Sequence, residues 1–127
     1  MPALSEKNVA FLTAENYAVV ATLGDDGAPQ TSVIWVDTDG ENVVFNTKPG
    51  RAKGLNLERD PRVNVIVVDK DNWLTYLEVE GIAELDYDGA NEHIEMLSQK
   101  YDQRPFRDPN DRVIVRVKPT RIHEHDD

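Results

Sequence analysis

Along most of this chain apolar residues recur at every second position, in short runs bounded by Asp, Asn and Gly. Tyr17 to Leu23, Gln30 to Asp37, Asn42 to Thr47, Val63 to Asp69, Trp73 to Leu85 and Arg112 to Val117 therefore read as strands. Asp25-Asp26-Gly27 and Asp39-Gly40 are turn sequences that join the first three into an antiparallel meander. Lys70-Asp71-Asn72 turns the fourth strand into the fifth, and Gly81 inside the fifth predicts a bulge or bend. Two stretches keep a helical period instead. Ser5 is an N-cap for a helix over Glu6 to Glu15, with Val9, Leu12 and Phe11 turned inward. Ala90 to Tyr101 places Ala90, Ile94, Leu97 and Tyr101 on one stripe. A third, shorter helix lies before Asp60-Pro61, because the residue preceding proline avoids helical geometry.

Six strands, mostly joined by hairpins and with a bend glycine, predict a mainly β fold. It is a six-stranded antiparallel barrel with two to three covering helices, in one domain spanning residues 1–127. So small a barrel fills its interior with its own side chains. A ligand must then lie outside it or between subunits. Val33, Ile34, Trp35 and Val36 are apolar on both faces of one strand. That points to a covered outer face, in a homodimer or beneath a helix.

Charge narrows the function. The chain carries a net −10, which argues against nucleic acid and against anionic membranes as partners. No apolar run is long enough to span a bilayer, and the absence of cysteine fits a cytoplasmic home. Against that background Lys48 to Arg62 stands out, with Lys48, Arg51, Lys53, Arg59 and Arg62 facing only Glu58 and Asp60. Cations at a helix start lie beside unpaired N–H groups and the positive end of the helix dipole, so the segment predicts an anion seat. A basic turn that merely offsets an acidic surface is the competing reading.

Three stretches carry a family likeness. VVATLGDDGAPQTSVIW (Val19 to Trp35), GRAKGLNLERDPRVNVIV (Gly50 to Val67) and WLTYLEVEGIAEL (Trp73 to Leu85) follow one another in order, before a closing RVIVRVKPTRI. Together they resemble the split-barrel flavin and deazaflavin proteins related to pyridoxamine 5′-phosphate oxidase. The branch most resembled is that of deazaflavin (coenzyme F-420) dependent oxidoreductases. The resemblance implies a split β-barrel homodimer with cofactor clefts at the subunit interface. It implies that Arg51 and Lys53 grip the cofactor phosphate with Asn56 nearby, and that Gln30, Ser32 and Val33 line the ring. Asn46 and Thr47 would lie on the neighbouring strand, and Trp73 would reach the cofactor from the partner subunit. Pyridoxamine phosphate oxidases proper carry further C-terminal Arg and His residues for the substrate phosphate, whereas this chain closes with His123-Glu124-His125-Asp126-Asp127.

Such a cofactor carries the hydride chemistry, so no catalytic side-chain set is expected. The expected activity is hydride transfer between coenzyme F-420 and an unsaturated or oxidised small-molecule substrate. An FMN oxidoreductase of the same fold and a non-catalytic flavin or deazaflavin carrier are the alternatives. Five basic residues at one helix start suit the multi-anionic tail of F-420. Other chemistries lack support. G-x-x-x-x-G-K-[ST] and G-x-S-x-G are both missing, and the Asp pairs sit at turns. His123 and His125 read as a frayed end rather than metal ligands, His93 as a surface or half-buried residue, and Trp35 as core.

Overall fold

The computed structural model describes residues 2–126. The elements are α1 (Glu6–Thr13), β1 (Tyr17–Leu23), β2 (Pro29–Ile34), β3 (Asp37–Thr38), β4 (Val43–Thr47), α2 (Ala52–Arg59), β5 (Arg62–Val68), β6 (Tyr76–Asp86), α3 (Ala90–Asp102) and β7 (Val113–His125). All the strands pair antiparallel in one sheet of order β2-β1-β5-β6-β7-β4-β3. The two ends of this order, β2 and β3, are joined in the chain by only Trp35 and Val36. The sheet must therefore curl until its ends nearly meet, which makes it a split barrel.

This arrangement corrects the expected strand count and pairing. The run Gln30 to Asp37 is not one strand. Its first part pairs with β1, and its last residue, Asp37, begins a separate strand paired with β4, so the sheet has seven strands rather than six. The predicted meander breaks at the same point, because β2 and β4 never pair and β4 lies against β7. The strand expected from Trp73 to Leu85 is β6, which starts at Tyr76, and Trp73 lies in the turn before it.

Alternation explains the core. Ala18 and Val20 of β1, Val63, Val65 and Val67 of β5, Leu77 and Val79 of β6, and Val115 and Val117 of β7 point into one buried cluster with Val36, Phe45 and Leu12. Gly81 sits at the register shift between β6 and β7, opposite Pro119, where a Cβ would run into the Lys118 carbonyl. Pro119 has no N–H to give the ladder, so the bulge falls where pairing is already interrupted. The α1 helix opens on a capping box between Ser5 and Asn8, and α2 stops at the extended Asp60 before Pro61.

The α3 stripe is as the sequence predicts. Ala90, Ile94 and Leu97 are buried, and the Tyr101 hydroxyl donates to the Asn16 carbonyl at 2.8 Å. Ala90 meets Val44 and Ile114 on the outer side of β4 and β7. The C-terminal segment is not frayed. β7 continues to His125, which pairs with Tyr76 and stacks on its ring at 5.2 Å. No group of His, Asp and Glu side chains able to hold a metal occurs among the described residues, and none of their helices is long and apolar enough to cross a membrane.

Candidate functional site

β2 pairs with β1 alone, so its other edge borders the seam where the barrel fails to close. A cavity of about 250 Å³ lies in this seam. Val33, Ile34 and Trp35 line one side, Asn46 and Thr47 of β4 the other, and Ile94 and Leu97 of α3 with Phe106 close it over. Arg51, Lys53 and Arg112 supply its charge. The Trp35 ring is held flat against Tyr101, at 5.7 Å and 3°, with Phe106 edge-on at 5.9 Å. Trp35 is thus a half-buried wall of the slot rather than a core residue.

The turn into α2 sets the cations. Arg51 is the N-cap and offers no side-chain acceptor, so the first-turn N–H groups stay uncapped beside two basic side chains. Gly54 allows the helix to press on the preceding turn, where a Cβ would lie 2.6 Å from the Lys48 carbonyl oxygen. Half-buried Lys53 donates to Ser32 Oγ at 2.9 Å. Burial holds its pKa below the ordinary lysine value, and the charges of Arg51 and Arg112 lower it further. Arg112 is likewise depressed by burial and then by Arg51, with Asp108 opposing. Among the described residues no carboxylate forms an ion pair with any of the three. Cations crowded together at a partly desolvated site are stabilised by an anion, so the trio has the charge and geometry to hold one.

The other basic residues of Lys48 to Arg62 are engaged elsewhere. Lys48 pairs with Asp108, Arg62 binds Asp60 at 2.7 Å, and Arg59 reaches the Leu23 carbonyl and Asn56 Oδ1. The five cations expected at the helix start are therefore two, Arg51 and Lys53, joined by Arg112 from the entrance to β7. Arg112 escapes a sequence reading because it belongs to no motif and only precedes an alternating run. The Asp108 partner of Lys48 is equally silent in the sequence.

The remaining expected site residues fall into two groups, with Trp73 in neither. Val33, Asn46 and Thr47 line the slot itself. Ser32, Gln30 and Asn56 lie behind it and hold Lys53 and α2 in place. Buried Asn56 donates through Nδ2 to Thr22 Oγ1 at 3.0 Å and to Gln30 Oε1 at 2.8 Å, latching α2 to the β1–β2 hairpin. Trp73 is 74% exposed and does not line the slot of its own chain. Asn46 also has a second role. Its Oδ1 accepts from Arg112 Nε at 2.8 Å, while its Nδ2 donates to the Ala90 carbonyl at 2.9 Å and meets His93 Nδ1 at 3.0 Å. His93 Nδ1 must then be an acceptor, which requires a neutral ring carrying its proton on Nε2. Burial depresses the His93 pKa in the same sense. The histidine thus helps to aim Arg112, a role its surroundings in sequence do not reveal.

Comparison with known proteins follows the same outline. The family model described as pyridoxamine 5′-phosphate oxidase matches residues 4–126. A solved structure named F420 reductase superposes with a TM-score of 0.80 at 35% identity, covering 90% of this chain and 94% of that one. A conserved hypothetical protein from Mycobacterium tuberculosis gives 0.78 at 28% identity, covering 96% and 84%. General Stress Protein 26 from Bacillus anthracis gives 0.75 at 22% identity, covering 94% and 92%, and at that identity shows the shared fold alone.

Proposed function

This chain belongs to the pyridoxamine 5′-phosphate oxidase family, and on that footing we propose that it is an oxidoreductase whose seam slot holds coenzyme F-420. The observation that carries this reading is the anion seat. Arg51, Lys53 and Arg112 crowd together without an ion pair to any carboxylate among the described residues, at an uncapped helix start, beside a flat aromatic wall. A bound deazaflavin ring supplies hydride transfer to an unsaturated or oxidised organic substrate. The protein's part is to bind and orient. Arg51, Lys53 and the α2 N–H groups take the phosphate. Ser32, Gln30, Asn46, Thr47 and the free edge of β2 offer polar contacts, while Trp35 and Phe106 exclude water. The 35% identity to an F420 reductase supports the deazaflavin over other ring cofactors.

FMN is the second reading, and one observation favours it. With Lys48, Arg59 and Arg62 engaged elsewhere, the seat matches a single phosphate as well as a longer anionic tail. A homodimer is part of the same proposal. Val33 lies opposite Val19, Val19 opposite Ile66, and Tyr17 opposite Val68, so these side chains form an apolar patch on the outside of the barrel. Val33 is 75% and Tyr17 60% exposed. A second copy on this patch would cover it and bring an exposed Trp73 toward the neighbouring slot. Titration of the apo-protein with F-420 and with FMN tests the reading. Tighter binding of F-420 is expected, tighter FMN would exchange the cofactor, and binding of neither would refute the seat.

A further inference from the structure

A larger cavity of about 710 Å³ adjoins the slot, under the loop of residues 103–111. It shares Trp35, Phe106, Arg51 and Arg112 with the slot, and adds Arg107 from the loop. The two acidic side chains in its wall are already engaged. Asp102 pairs with Arg104 at 3.3 Å, and Asp108 pairs with Lys48. Arg51, Arg107 and Arg112 are left without an ion pair among the described residues. Arg112 is also pre-aimed. Its Nε is tied to Asn46 at 2.8 Å and its Cζ lies 5.2 Å from the centre of the Phe106 ring. Both terminal amino groups of its guanidinium have no protein partner among the described residues, and such a fork matches the two oxygens of a carboxylate.

We propose that this groove is the subsite for the second substrate and takes a planar carboxylic acid, its ring or conjugated chain against Trp35 and Phe106, its carboxylate on Arg112 and Arg107. The proposal rests on the oxidoreductase reading above and deepens it by naming a substrate class. Size agrees, since small-molecule sites commonly occupy about 300–1,000 Å³. Charge agrees as well. With Arg51 on the cofactor phosphate, a neutral molecule would leave Arg107 and Arg112 uncompensated, whereas a carboxylate offsets one of these two charges. Arg107 lines the groove but not the slot, which separates the two ligands in a test.

The probe is trans-cinnamate, with trans-cinnamamide as its uncharged counterpart of the same shape. Both are titrated by calorimetry into the full chain without cofactor, and the quench of Trp35 emission is followed in a Trp73→Phe background. Cinnamate should bind and quench Trp35, with cinnamamide roughly ten-fold weaker or worse. Arg107→Ala should weaken cinnamate by roughly five-fold or more, yet leave F-420 affinity within about two-fold. Equal binding of acid and amide, no binding of either, or an Arg107→Ala variant with unchanged cinnamate affinity would overturn the proposal. A parent protein that binds cinnamate but neither F-420 nor FMN would instead overturn the cofactor reading and leave the groove standing.

Discussion

Lys53→Met separates the anion seat from the fold. In the free protein the ammonium is half-buried and faces Arg51 and Arg112, so burial and repulsion both act against its charge. Its one bond in the protein is to Ser32 Oγ. Methionine keeps much of the length, relieves the repulsion and gives up that bond. These effects oppose one another, and the free variant should lie within about 1 kcal/mol of the parent, or roughly 5 °C in Tm. Binding behaves differently. A charge-assisted hydrogen bond to phosphate contributes about 1.5–3 kcal/mol, so F-420 or FMN affinity should fall roughly 10- to 150-fold. The pH dependence follows from the same charge. A bound phosphate raises the depressed Lys53 pKa, so binding above the free-state value must take up a proton. Affinity should therefore decline with rising pH before the ordinary lysine range is reached, and Lys53→Met should remove that step. Thermal melts and fluorescence titrations across pH measure both. Unchanged affinity in a normally folded Lys53→Met protein would refute the seat; a large loss of Tm would make Lys53 a structural residue.

Three further changes probe the surroundings. Asn56→Ala deletes two bonds to Thr22 and Gln30 inside the latch and should cost about 2–3 kcal/mol, or roughly 8–15 °C in Tm; an unaltered melt would mean that water or Arg59 replaces the latch. Gly54→Ala ought to help an ordinary helix by about 1 kcal/mol, but here its Cβ would meet the Lys48 and Pro49 backbone. Lower Tm and weaker cofactor binding are expected, and a rise in Tm would show that the turn yields freely. His93→Gln keeps an acceptor for Asn46 without a titrating ring. The folded-state pKa of His93 is depressed, so its contribution is full above the unfolded value and is lost as pH falls below it toward the folded value. The parent should lose stability through that acid window and the Gln variant should lose less, as melts from pH 7 downward would reveal; identical profiles would remove His93 from the positioning of Asn46 and Arg112.

How much of this was legible in the sequence depended on the kind of signal. Ala90, Ile94 and Leu97 declare α3 because burial of one face imposes a period close to 3.6, and Asp60-Pro61 marks its own break. Gly81 announces a bulge because only a missing side chain fits against Lys118. Alternation finds strands but not their partners, so the switch at Trp35-Val36 and the place of β4 beside β7 stayed hidden. The continuation of the last strand beyond Val117 was hidden for a related reason. Residues 118–125 carry no apolar period, Ile122 alone packing on the core, and they are ordered by the long backbone edge of β6. At the site, Arg51 and Lys53 were readable as a local cluster. Arg112 was not, because only folding brings it to them, and only folding turns Lys48 toward Asp108.

The most direct test of the anion seat is a crystal structure of the protein bound to F-420, or to FMN if that binds more tightly. The phosphate should lie at the start of α2 within hydrogen-bond reach of Arg51 and Lys53, with the ring in the seam between β2 and β4. A phosphate bound elsewhere, with Arg51 and Lys53 facing solvent, would contradict the account.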